Sequence, residues 1–349
     1  MLNVRQELYD RIDGAPIYLI TLTSEDITVT VTNFGCAITS VSVPDREGRC
    51  RNIVAGFEDL RLYGHNEHYL GCVVGRYVNR IGHGRFSLDG GTVQLTVNDG
   101  YNHLHGGFDG FHKQLWTVSD IIRTGQEVGV VFEYTSMDGE EGYPGNLRVR
   151  VAYVLDTERA LHIRYEAVTD KRTPVNLSNH SYFNLTGFVN PLVTDHLLCV
   201  HASRYTEKSG VNLPTGNMPV LAGTPLDFTR PKRIGDMIDR IPIDGGIDHN
   251  YILDRDSPGE QVTAAELYEP VSGRVLRVIT DQPGLQVYTA NWWDGTLKGP
   301  GGLRYMQHGA VALETQAFPD GPNRPEFPNT ILDPGDTYAS TTIFVFGLM

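Results

Sequence analysis

Two ionisable residues sit where their neighbours give little reason for a charge. His180 lies between asparagines in NLSNHSYFNLTG (176–187), a run whose Tyr182, Phe183 and Leu185 are residue types of a core. Glu314 ends the apolar part of GAVALETQ (309–316), where a carboxylate needs a partner or a task. An imidazole titrates near pH ~6.5 and a carboxylate near ~4.3, and burial moves both. Such groups can exchange protons with a substrate near neutral pH.

Other polar and ionisable residues cluster beside glycine or aromatic residues in GRYVNRIGHG (75–84), NHLHGG (102–107), GIDHNYIL (246–253) and LETQAFPDGPN (313–323). Each admits a plain structural account. Arg80 would be a surface ion-pair partner, His105 a turn-capping histidine, Asp248 a turn former beside Gly245 and Gly246, and Glu314 a strand carboxylate facing water. A metal reading also exists: HLHGGFD sets His103, His105 and Asp109 at the HxHx3(D/E) spacing of cupin-like metal-dependent enzymes. It leaves Glu314 unused and lacks a further histidine at a matching interval.

The elements that must hold these residues are strands. Period-two alternation runs through 27–34, 38–43, 130–136, 147–155, 161–169 and 275–280, separated by turn clusters such as DGEEGYPGN, LDGG and FPDGPN. Helical periodicity with caps at both ends is scarce. The expected fold class is therefore all-β, a large antiparallel sandwich or barrel-like architecture. With no linker, repeat or low-complexity tract, residues 1–349 read as a single domain.

Composition narrows the partners. Forty-two acidic against 29 basic residues give a net charge of −13 with no basic run to follow a phosphate backbone, which argues against nucleic acid. The start of the chain lacks a secretory pattern and no segment offers about 18 uninterrupted apolar residues, so no membrane is expected and a soluble, cytoplasmic protein is. Cys36, Cys50, Cys72 and Cys199 form no CxxC pair and read as buried or half-buried free thiols. The sequence sets no oligomeric state.

Taken in order, GRYVNRI, LHGG, DGEEGYPGNL, NLSNHSYFNLTG, LPTG followed by GTPLDF, DHNYIL and LETQAFPDGPN closely resemble the aldose 1-epimerase (galactose mutarotase) family across nearly the whole chain. The resemblance implies a galactose mutarotase-like antiparallel β-sandwich with an open cleft for a free sugar, and it implies no cofactor and no metal. His180 matches the proton donor and Glu314 the proton acceptor. His105 matches a second histidine on the ring-oxygen side, Asn79, Arg80, Asp248 and Gln286 match residues that bind sugar hydroxyls, and Tyr182 is expected to line the same cleft. Opening a cyclic hemiacetal takes a proton from the anomeric hydroxyl while giving one to the ring oxygen, so acid and base must act together. On this assignment turnover falls in acid as Glu314 protonates and in alkali as His180 loses its proton. A catalytically silent sugar-binding protein of the same fold is the alternative, disfavoured because both proton-transfer residues are present, and turnover assays would separate the two. Departures from the family pattern fall at Tyr77, Val78 and Ala290, the last followed by Trp292 and Trp293, which read as packing elements at a sheet rim more readily than as sugar-stacking rings.

Overall fold

A computed structural model describes residues 2–241 and 244–349. Nine antiparallel strands form its largest sheet, in the order Thr117–Arg123, Glu127–Ser136, Leu147–Asp156, Ala160–Thr169, Tyr338–Leu348, Arg274–Thr280, Val262–Tyr268, Leu197–Val200 and Lys232–Arg233. Every alternation read from the sequence lies on a strand, with ends shifted by a few residues: 27–34 becomes Ile27–Thr32, and 130–136 extends back to Glu127. The α-helical content among the described residues is one short segment, Gly235–Ile238. No helix there is long and apolar enough to cross a membrane.

Two five-stranded sheets share a core with the large one. The first is a meander from Asn3–Ile12 to Cys50–Asn52; the second runs in the order Tyr182–Phe183, Val311–Gln316, Gly284–Tyr288, Asp248–Leu253 and Ala202–Tyr205. Val151, Ile163, Val278 and Phe344 of the large sheet, Ile20 and Val29 of the meander, and Leu285, Val287, Val311 and Leu313 of the second sheet belong to one buried apolar cluster. Each fully buried side chain of this kind contributes about 1.5–3 kcal/mol by leaving water.

Because side chains alternate along a strand, Val311 and Leu313 face this core while Ala312, Glu314 and Gln316 take the opposite face, and a one-residue slip would exchange the two sets. That geometry overturns two of the plain accounts. Glu314 is only 2 % exposed and does not face water, and Asp248 opens a strand where a turn residue was an option. Cys36, Cys72 and Cys199 are buried free thiols as expected, whereas Cys50, on the outer strand of the meander, is exposed.

Candidate active site

Strand register assembles one wall. Glu314 pairs with Gln286, which pairs with Asn250 on its other side; in the neighbouring row Tyr182 pairs with Ala312, Ala312 with Tyr288, and Tyr288 with Asp248. His180 precedes the Tyr182–Phe183 strand and is held by its backbone: its N–H donates to the Cys72 carbonyl and its carbonyl accepts from Gly71 N–H. The imidazole Nε2 thereby stands 3.4 Å from Glu314 Oε1.

A two-stranded ladder builds the opposite wall, with His103 and Leu104 paired to Ile81 and Arg80. At its end Asn79 (φ 65°) and His105 (φ 51°) both adopt left-handed backbone, and His105 N–H donates to the Asn79 carbonyl while Asn79 N–H donates to His105 Nδ1. Non-glycine residues occupy that region at a cost and concentrate at functional sites. With Nδ1 accepting, a neutral His105 carries its proton on Nε2. The LHGG glycine Gly106 also has positive φ, and a Cβ there would strike the Gly75 carbonyl.

These walls enclose a cleft of about 240 Å³ lined by all eight residues singled out from the sequence: Asn79, Arg80, His105, His180, Tyr182, Asp248, Gln286 and Glu314. Arg80 makes the ion pair expected of a surface residue, 2.7 Å from Asp99, but the pair forms part of the cleft lining. Asp248 Oδ1 accepts from Gln286 Nε2 at 2.6 Å. Three buried atoms of the cleft residues, His180 Nδ1, Gln286 Oε1 and Glu314 Oε2, have no protein partner. In a cleft open to a ligand such atoms are available to hydrogen-bond it.

Burial sets the electrostatics. It raises the Glu314 carboxyl well above the usual range, helped by Asp248 and opposed by Arg80. It drives His180 down to about 4 and His105 well below its ordinary value, with His180 and Arg80 adding to the latter shift. Asp248 goes the other way: burial would raise it, but Lys208 and Arg80 outweigh that and hold it below the ordinary carboxylate value. The cleft therefore contains one carboxylate kept as an anion and another that retains its proton readily, beside neutral imidazoles.

Several participants escaped sequence reasoning. Tyr69 (φ 57°) lies 4.5 Å from His105, 4.7 Å from His112 and 5.9 Å from His180 between ring centroids, so one tyrosine spaces three histidines. No periodic or motif signal marks it. Asp99 and Tyr288 also line the cleft. The adjacent tryptophans separate: Trp293 is buried against Tyr182 and Tyr305, a packing element, whereas Trp292 is 67 % exposed and stands at the cleft. The HxHx3(D/E) set does not assemble. His103 is occupied on both nitrogens, by the Thr96 carbonyl and the Tyr143 hydroxyl, each at 2.8 Å. Among the described residues His105 instead groups with His180 and Glu314, one ligand-type atom from each lying within 4.8 Å of the others.

Residues 18–345 match the family model described as aldose 1-epimerase. The chain is 43 % identical over 327 residues to galactose mutarotase of Bos taurus, covering 94 % of this chain and 93 % of the relative. It is 35 % identical to aldose 1-epimerase of Escherichia coli (strain K12), covering 96 % of each. The crystal structure of galactose 1-epimerase from Lactobacillus acidophilus NCFM superposes with a TM-score of 0.86 at 30 % identity, covering 100 % of this chain and 99 % of that one.

Proposed function

The chain belongs to the aldose 1-epimerase family and interconverts the α and β anomers of aldoses, and we propose that it does so with His180 as general acid and Glu314 as general base. The observation that carries this assignment is the 3.4 Å approach of a buried imidazole and a buried carboxyl in a cleft lined by hydroxyl-binding groups.

In the proposed cycle Glu314 takes the anomeric hydroxyl proton while His180 gives one to the ring oxygen. The bond between the anomeric carbon and the ring oxygen breaks, leaving an open-chain aldehyde and a new hydroxyl. After rotation about the adjacent carbon–carbon bond, that hydroxyl attacks the other carbonyl face, His180 recovers its proton and Glu314 returns the one it took. Each group switches role in one turnover, so neither direction needs an outside proton source. His105, presenting Nε2–H, donates to the ring-oxygen side without changing charge. Asn79, Arg80, Asp248 and Gln286 hold the hydroxyls, where charged and amide groups give directional bonds, and the Tyr182 ring offers an apolar face.

The substrate in this reading is a free aldose of the glucose or galactose type, and neither cofactor nor metal takes part. The net charge of −13 speaks against nucleic acid as a partner. One apolar cluster containing residues from Val4 to Phe346 supports treating 1–349 as one domain. Four free cysteines fit a reducing, cytoplasmic setting.

Polarimetry tests the proposal. Freshly dissolved α-D-glucose, α-D-galactose, L-arabinose and D-xylose are followed to equilibrium with and without protein. At least one is expected to equilibrate faster with protein, and buffer-rate equilibration of all four would refute the reading.

A further inference from the structure

We infer that Lys208 is a positioning residue of the sugar site, holding the Asp248 carboxylate in the orientation with which it takes a sugar hydroxyl. The inference rests on the reading of Asp248 as a hydroxyl-binding residue.

Lys208 lies in SRYTEKSGVNLPTG (203–216), just beyond the Ala202–Tyr205 strand at the edge of the site sheet. Its side chain is only 11 % exposed. The ammonium makes three close approaches: 2.7 Å to Asp244 Oδ2, 2.6 Å to the Asp248 carbonyl and 3.4 Å to Asp248 Oδ2. Two of these are hydrogen bonds to Asp248, and the third is an ion pair with Asp244. The other Asp248 oxygen accepts from Gln286. Held by Gln286 on Oδ1 and Lys208 on Oδ2, the carboxylate plane is fixed from two sides.

The balance of charge explains why this needs a cation. Asp248, its side chain 14 % exposed, lies near Glu314, and a largely desolvated anion persists only when paired. Arg80 supplies part of that compensation, but its guanidinium is bonded to Asp99 in the cleft lining. Lys208 stands behind Asp248, outside the cleft lining, and so stabilises the anion without competing for the hydroxyl. Asp244, itself buried, holds the ammonium in place from the other side.

The test compares KM and kcat of mutarotation for Lys208→Met, for the double variant Lys208→Met/Asp244→Asn, for Asp248→Asn, and for Asp248→Asn carrying Lys208→Met. The double variant removes the cation together with its outer anion, so it remains informative should the single variant not fold. Expected is a rise in KM of about tenfold with kcat within threefold in the Lys208 variants, because ground-state placement is lost while the proton-transfer pair is untouched. Adding Lys208→Met to Asp248→Asn should then change KM by less than twofold. KM within twofold of wild type in a folded Lys208→Met/Asp244→Asn protein, with KM raised by Asp248→Asn, overturns the role of Lys208 alone. An unchanged KM in Asp248→Asn overturns the reading of Asp248, and the inference with it.

Discussion

His180 Nε2 and Glu314 Oε1 stand 3.4 Å apart with both residues at most 3 % exposed, so the two groups share a desolvated space and titrate as a pair. Burial penalises the charged form of each, lowering the histidine and raising the carboxyl. With one proton between them, burial favours carboxylic acid beside neutral imidazole; in the proposed mechanism, shifting that proton to His180 supplies the acid and base that ring opening requires.

This order reverses the limbs of the pH profile assigned from the sequence. Activity should fall in acid where His180 takes a second proton onto the pair, near pH 4, and in alkali where Glu314 loses the last one. Asp248 raises the Glu314 value, so Asp248→Asn should move the alkaline limb of kcat to lower pH. A limb that stays put or moves upward contradicts the assignment.

Glu314→Gln keeps volume and one acceptor but has almost no basicity. Turnover should vanish while calorimetric sugar affinity stays within about tenfold, or ~1.4 kcal/mol. Because burial makes the wild-type carboxyl take up a proton that it would not hold unfolded at neutral pH, a cost that Gln does not carry, the variant should melt no lower than wild type. Near-normal turnover in the folded variant would remove Glu314 from the mechanism, and a large loss of melting temperature would mark it as structural.

His180→Asn preserves polar shape without a transferable proton. A fall in kcat of about 10²–10⁴ is expected, with circular dichroism unchanged. Retention of half the wild-type turnover would rule His180 out as the acid.

Acid stability follows from buried histidines. His112 and His249 are pushed down to about 3 and His180 and His196 to about 4, in each case by burial first. The unfolded chain therefore binds protons below pH ~6.5 that the folded one refuses, so unfolding becomes easier as pH falls from ~6.5 towards 4, by about 1.4 kcal/mol per pH unit for each histidine. Glu314, raised when folded, acts oppositely, its contribution being lost as pH rises through its folded value. Denaturant titrations from pH 4.5 to 6.5 should show stability dropping with acidification, and His112→Gln should flatten the slope; a flat wild-type profile would contradict this account.

The adjacent tryptophans should part in behaviour. Trp293→Ala opens a cavity beneath Tyr182 and should cost about 3–5 kcal/mol, whereas exposed Trp292→Ala should leave the melting temperature nearly unchanged. Equal losses from the two would contradict the packing described.

Much was legible in the sequence. Alternation marked strands because a half-buried strand must alternate, and the apolar run before Glu314 marked a carboxylate in need of a role. The ordered motifs brought His180, His105, Arg80, Asp248 and Gln286 forward as one set. Only the tertiary structure decided what depends on approach between distant segments. It replaced His103 and Asp109 by His180 and Glu314 as the neighbours of His105, separated Trp292 from Trp293, and brought Tyr69 against three histidines and Lys208 against Asp248. Local sequence sets a side chain's type and the face it takes; burial, register and the charges opposite come from residues up to hundreds of positions away, and these set which of two neighbouring groups holds a proton.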